Sequence, residues 1–291
     1  MEDFRLPAET HIGHVHLQVP SLDAALRFYQ GILGLRAAGS TGPARGLSAT
    51  GEEPYHVLLS ERPGASARPA HSAGLYHVAI RLPGRQALAR LLRRLLTHNW
   101  PLLGFADHGV SAAAYLADAD GLGLELYADT PRAGWRWQDG QVMMATGPLD
   151  VAGLLRSVEH EAGPWTGIDR AADVGHVHLQ VADLARAEAF YHGLLGFDVT
   201  QRSYPGALFL SAGGYHHHVG VNTWHSRGAP RASADAVGLR SFALRLPDDR
   251  SWRAVVERVM RAGLPVENSS VDGGCLVRDP DGNGVELLVG M

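Results

Sequence analysis

The heptapeptide GHVHLQV occurs twice, at residues 13–19 and 175–181. Seven identical residues in two places mean that a segment of this chain was copied, and a copied segment folds the same way twice. The match runs on. PSLDAALRFYQGILGL follows the first copy and ADLARAEAFYHGLLGF the second, placing Phe28-Tyr29 and Phe190-Tyr191 at the same offset of 162 positions. Near the ends, DADGLGLELYAD (118–129) matches DPDGNGVELLVG (279–290), with Glu125 and Glu286 offset by 161. Residues 12–129 and 174–290 are two copies of one segment.

Each copy divides again. GLYHVAIRL (74–82) is an alternating strand followed by GRQALARLLRRLLTH, apolar at helical spacing, in the same order as GHVHLQV and LDAALRFYQGIL. Three shorter strand candidates follow each helix, at about 35–38, 45–50 and 55–60 and at about 100–105, 112–117 and 122–128, separated by turns rich in Gly, Pro and Asp. The unit is βαβββ, four times over, an α+β chain. Helices cover one face of each unit's sheet, and the other face must close against a neighbouring unit. The four modules are thus expected to pair into two cupped, barrel-like domains: residues 1–130, a linker with a short helix at 131–173, and residues 174–291.

Strand parity separates the side chains. Val15, Leu17 and Val19 belong under the helix; His14, His16 and Gln18 line the cup. If consecutive units close on each other, His14, His77 and Glu125 meet at equivalent depth, two imidazoles and one carboxylate on one face. That is the facial arrangement that holds non-haem Fe(II) and leaves positions open for other ligands. The second copy keeps His176 and Glu286 but carries Ser241 where the second histidine belongs, and Leu276 where the first has Tyr115. A different second set, His176, His218 and Glu286, is compatible with the run GGYHHHVGVNTWH.

Composition closes off other classes. A net charge of -4 gives no basic footprint for nucleic acid. No apolar run approaches the roughly 20 residues of a membrane span. The start, MEDFRLPAET, lacks the apolar segment of a secretory signal, and the single Cys275 cannot form an internal disulfide. A cytoplasmic protein is the expectation, with room for a homo-oligomer.

The unit order, the helix motif and the terminal DG-x-G-x-E turn resemble the vicinal oxygen chelate superfamily, which includes glyoxalase I, bleomycin resistance proteins and type I extradiol dioxygenases. The four-unit length and the run DHGVSAAAYLADADGLGLELY look most like catechol 2,3-dioxygenases. The resemblance implies a metal held by His14, His77 and Glu125, either Fe(II) or Mn(II), with a small aromatic diol and O2 as partners. It implies His56 as the acid or base near O2, and His108 and Tyr115 as groups orienting the diol. His16 and Gln18 support His14 or line the pocket. The rival readings within the superfamily are a glyoxalase-type isomerase or lyase and a metal-free binding protein.

Overall fold

The computed structural model describes residues 4–161, 163–271 and 273–290; the first and last positions of the expected domains lie outside these. Two curled eight-stranded sheets carry the mixed α+β fold. Each unit opens with a long strand: His11–Val19, Gly74–Leu82, Asp173–Gln180 and Gly238–Leu246. Each opening strand runs parallel to its own unit's final strand: Val57–Glu61, Gly123–Asp129, Val219–Asn222 and Gly284–Val289 respectively.

The expected order of closure is corrected by the sheets themselves. The opening strand of unit one pairs antiparallel with that of unit four, and unit two with unit three. Units one and two therefore do not share a cup, and neither do units three and four. Alternation dictates which face of a strand looks inward, but all four opening strands carry nearly the same alternation, so it does not dictate which two meet edge to edge. The connections after units one and three cross between the sheets and bridge each other at Ser66–Ala236 and Ala73–Arg231.

Helices cover the outer faces as the periodicity expects. Ser21 and Asp183 cap the short helices Leu22–Leu26 and Leu184–Glu188, each accepting from a backbone N–H three residues on. Both helices widen into a π-turn, Arg27–Ile32 and Ala189–Leu194, which buries the Phe-Tyr pair. The widening directs Tyr29 and Tyr191 downward: each hydroxyl donates to a buried carboxylate of the next unit's DG turn, Asp118 and Asp279, at 2.9 Å. So successive units are tied through helices although their strands lie in different sheets. The longer helices, Arg85–Thr97 and Asp249–Arg261, pack Leu88, Leu92, Val255 and Val259 onto the core. Val15, Leu17, Val19 and their copies Val177, Leu179 and Val181 sit in that same core, on the side parity assigns them. The linker forms the short helix Val151–Arg156. Among the described residues no helix is long and apolar enough to cross a membrane.

Candidate metal centre

Three donors converge in the sheet made by units two and three. His176, Ala79 and Glu125 occupy one row across three strands, since His176 registers with Ala79 and Ala79 with Glu125. The methyl of Ala79 leaves the space between the two longer side chains free. His77 enters from the same strand as Ala79, two residues earlier and on the same face. His77 Nε2 lies 3.0 Å from Glu125 Oε2 and His176 Nε2 lies 3.2 Å from it. All three donors fall within 4.8 Å of one another. All three residues are buried.

The glycine of the repeat has a reason here. A Cβ on Gly175 would stand 1.7 Å from the Tyr127 hydroxyl, which passes beside the strand to meet Tyr215. Only glycine lets the backbone before His176 come this close.

Burial drives the Glu125 carboxyl up, but His176 and His77 beside it outweigh burial and hold it well below the usual carboxylate range. Burial lowers His176 to about 4 against the pull of Glu125. A carboxylate beside a neutral imidazole is the protonation state that a divalent cation needs. The geometry also fits one. His77 Nε2 is buried with no hydrogen-bond partner despite its 3.0 Å approach to Glu125. The ring nitrogen and the carboxylate oxygen thus lie close without bonding to each other. Ligands about 2.1 Å from an octahedral ion sit roughly 3 Å apart when adjacent, close to the two separations found.

A cleft of about 320 Å³ opens over the donors. Its walls are aromatic, with Tyr76, Phe105, Tyr204, Phe209 and Trp224. His108, Tyr115, His178 and His217 supply the polar atoms. His108 Nδ1 lies 2.7 Å from the Ala145 carbonyl, which can only accept, so His108 Nε2 accepts from the Tyr115 hydroxyl at 2.7 Å. Burial and Glu125 push the Tyr115 hydroxyl above its ordinary range, keeping it protonated. On the far wall His217 stacks on His176, ring centroids 4.0 Å apart. Its Nδ1 lies 2.8 Å from His216 Nδ1, and His216 Nε2 lies 3.0 Å from Asp129 Oδ1. With the His216 proton facing Asp129, the chain of bonds leaves His217 Nε2 as the free acceptor. Burial, reinforced by His176, lowers His217 well below the ordinary imidazole range.

The family model described as the glyoxalase/bleomycin resistance protein/dioxygenase superfamily matches residues 11–126 and again 173–287. The chain belongs to this superfamily. A catechol-2,3-dioxygenase of Bacillus subtilis (strain 168) is 41% identical over 276 residues, 94% of each chain. Among solved structures, a candidate dioxygenase from Bacillus subtilis subsp. subtilis str. 168 superposes with a TM-score of 0.69 at 16% identity, covering 98% of this chain and 86% of that one. Glyoxalase I from Zea mays superposes with a TM-score of 0.59 at 17% identity, covering 97% and 92%. At such identities the two structures speak for the superfamily fold alone.

On this fold the residues singled out in the sequence separate. His77, Glu125, His108 and Tyr115 come together. His14 does not join them: it lies in the other sheet, Nε2 3.7 Å from Glu286, because unit one closes on unit four. Its place beside Glu125 is taken by its copy, His176. The set His176, His218 and Glu286 is likewise divided, with Glu286 in the other sheet. His218 Nδ1 accepts from the Ala212 N–H at 3.2 Å, and His56 Nδ1 from the Ala49 N–H at 3.1 Å. Both histidines fasten a hairpin, and His56 stands on the sheet away from the aromatic cleft. His16 and Gln18 line the other cup; their copies, His178 and Gln180, belong to the sheet of the donors. Sequence reasoning missed His217. The HHH run was the signal, but copy alignment points to His218, because His56 and His218 share a strand register whereas His217 enters the cleft from the preceding loop.

Proposed function

We propose that this protein is an extradiol ring-cleaving dioxygenase acting on catechol or a substituted catechol with O2. The observation that carries the reading is the His77–Glu125–His176 triad at the floor of an aromatic cleft that also presents His108, Tyr115 and His217. A 41% identical relative named catechol-2,3-dioxygenase supports it. His77, His176 and Glu125 hold Fe(II), or Mn(II) in its place. The ion, when bound, supplies Lewis acidity toward vicinal oxygens and an electron-transfer path between an electron-rich ring and O2.

The chain's own residues do the rest. Aromatic walls strip water from a flat ring and fix its plane. The Tyr115 hydroxyl, its proton held by His108 Nε2, offers its oxygen as the acceptor for one substrate hydroxyl and so orients the diol. Neutral His217 offers Nε2 to take a proton from the substrate hydroxyl, and His216 and Asp129 hold its tautomer. A single carboxylate among the donors favours this over glyoxalase-type chemistry, for which turnover is independent of O2.

Assay of iron-loaded protein with catechol under air is the test. A yellow ring-opened product is expected, with one O2 consumed per ring. Turnover in the absence of O2, or full activity in His176→Ala, overturns the reading.

A further inference from the structure

The cup formed by units one and four repeats the metal centre with its chemistry exchanged. Ser241 occupies the position of His77, as the register of Ser241 with His16 repeats that of His77 with His178. Arg240 replaces Tyr76 one residue earlier, and Leu276, paired with Glu286, replaces Tyr115, paired with Glu125. The floor carboxylate, Glu286, is capped by the hydroxyls of Ser241, Ser269 and Ser270. A cup that had become only structural would fill with side chains, because protein interiors pack to crystal density. This one keeps a cleft of about 370 Å³.

Four arginines, Arg68, Arg231, Arg240 and Arg278, line the cleft together with three carboxylates, Glu267, Asp281 and the floor residue Glu286. Arg278 is neutralised by Glu267 at 3.0 Å. The other three have no carboxylate within ion-pair distance among the described residues. Two are held in place by the glutamines of the repeated heptapeptide. Gln18 Oε1 accepts from Arg240 at 2.6 Å, and Gln180 Oε1 accepts from Arg68 at 2.8 Å. Gln18 is itself buried and anchored to the carbonyls of Ala234 and Ala236. Beneath them, fully buried His14 has no hydrogen-bond partner at either ring nitrogen. Guanidinium groups fixed by neutral acceptors keep their charge free for a ligand, and planar forks match carboxylates.

We infer that the cup of units one and four is a second ligand site, separate from the aromatic cleft, that binds a small hydrophilic carboxylate without a metal. The arginine rim takes the carboxylate, and the serine hydroxyl oxygens below accept from hydroxyl or amide groups of the same molecule.

Titration calorimetry on the metal-loaded full chain tests this with tartrate and succinate as probes and sodium chloride at matched ionic strength as control. Saturable binding of one dicarboxylate per chain is expected. The double variant Arg231→Gln/Arg240→Gln weakens it about tenfold or more, from the loss of charge-assisted hydrogen bonds. His77→Gln, which disables the other cup, leaves it within about twofold. No binding of either probe, equal binding by the arginine variant, or loss in His77→Gln overturns the inference. The last result would show the probes chelating metal in the aromatic cleft instead.

Discussion

His176 Nε2 lies 3.2 Å from Glu125 Oε2, so the candidate metal centre joins residues from the two different copies of the duplicated segment. Their counterparts, His14 and Glu286, make the reciprocal junction at 3.7 Å. The relation between the copies is therefore an exchange, and it decides which histidine of two identical heptapeptides does chemistry.

Replacing the two histidines separately reads that exchange. His176→Ala is expected to release the metal and lower activity by at least the 10–100-fold that even outer groups around a metal cost when removed. His14→Ala keeps a full metal content. Elemental analysis after dialysis, with activity measured alongside, checks both, and the opposite pattern would return the site to the amino-terminal unit.

His217→Gln is expected to keep its metal and lose about 10²–10⁴-fold in kcat, the range for removal of a general acid or base. His56→Gln, by contrast, alters stability and leaves kcat near that of the parent. Steady-state kinetics of both variants at matched metal content distinguishes a proton-transfer group from a hairpin fastener.

Stability should fall in acid through the cup of units one and four. Burial lowers His16 to about 4, helped by Arg240 and opposed by Glu286. The folded state then binds fewer protons than the unfolded one between about 4 and the ordinary 6.5, so stability is lost as pH falls across that window. Glu286, lifted by burial but brought down to about 2 by the nearby His14 and its bonds with the serines, adds a second loss below the ordinary 4.5. Together they amount to a few kcal/mol, on the order of 1–3 for each group. Urea denaturation at pH 7, 5.5 and 4.5 should show a steadily decreasing midpoint; a flat profile would contradict the burial assigned to His16.

Tyr191→Phe removes the donor to buried Asp279, which retains bonds from Asn283 and from the backbone of Asp281 and Asn283. A cost of about 1 kcal/mol follows, the low end for a partly compensated buried group. Tyr29→Phe at Asp118 should cost a similar amount and add to the first. Equilibrium unfolding of the two single variants and the double variant measures this, with activity unchanged.

Much of this was legible in the chain. Repeats, parity and turn residues place the four units, their helices and the inward faces, because these are local signals of period and offset. The contrast of His77 with Ser241 also marks one cup as the candidate metal centre and the other as something else. What stayed hidden is the edge-to-edge choice of partner. His14 and His176 lie in identical sequence from one residue before to five residues after, and no local signal separates them. His217 was hidden for a related reason. Its place depends on a loop path, whereas copy-to-copy register tracks the strand residue beside it.

The crossed pairing of sheets has a consequence for how the chain is made. The sheet bearing His77, Glu125 and His176 is complete once unit three has been synthesised. The opening strand of unit one must wait, with an unpaired edge, for the last unit to emerge. Domains emerging from synthesis fold as units, and pairing between distant segments is slow. The half of this molecule that bears the donor triad is thus the first to take shape, and the opening strand of unit one is among the last parts to settle.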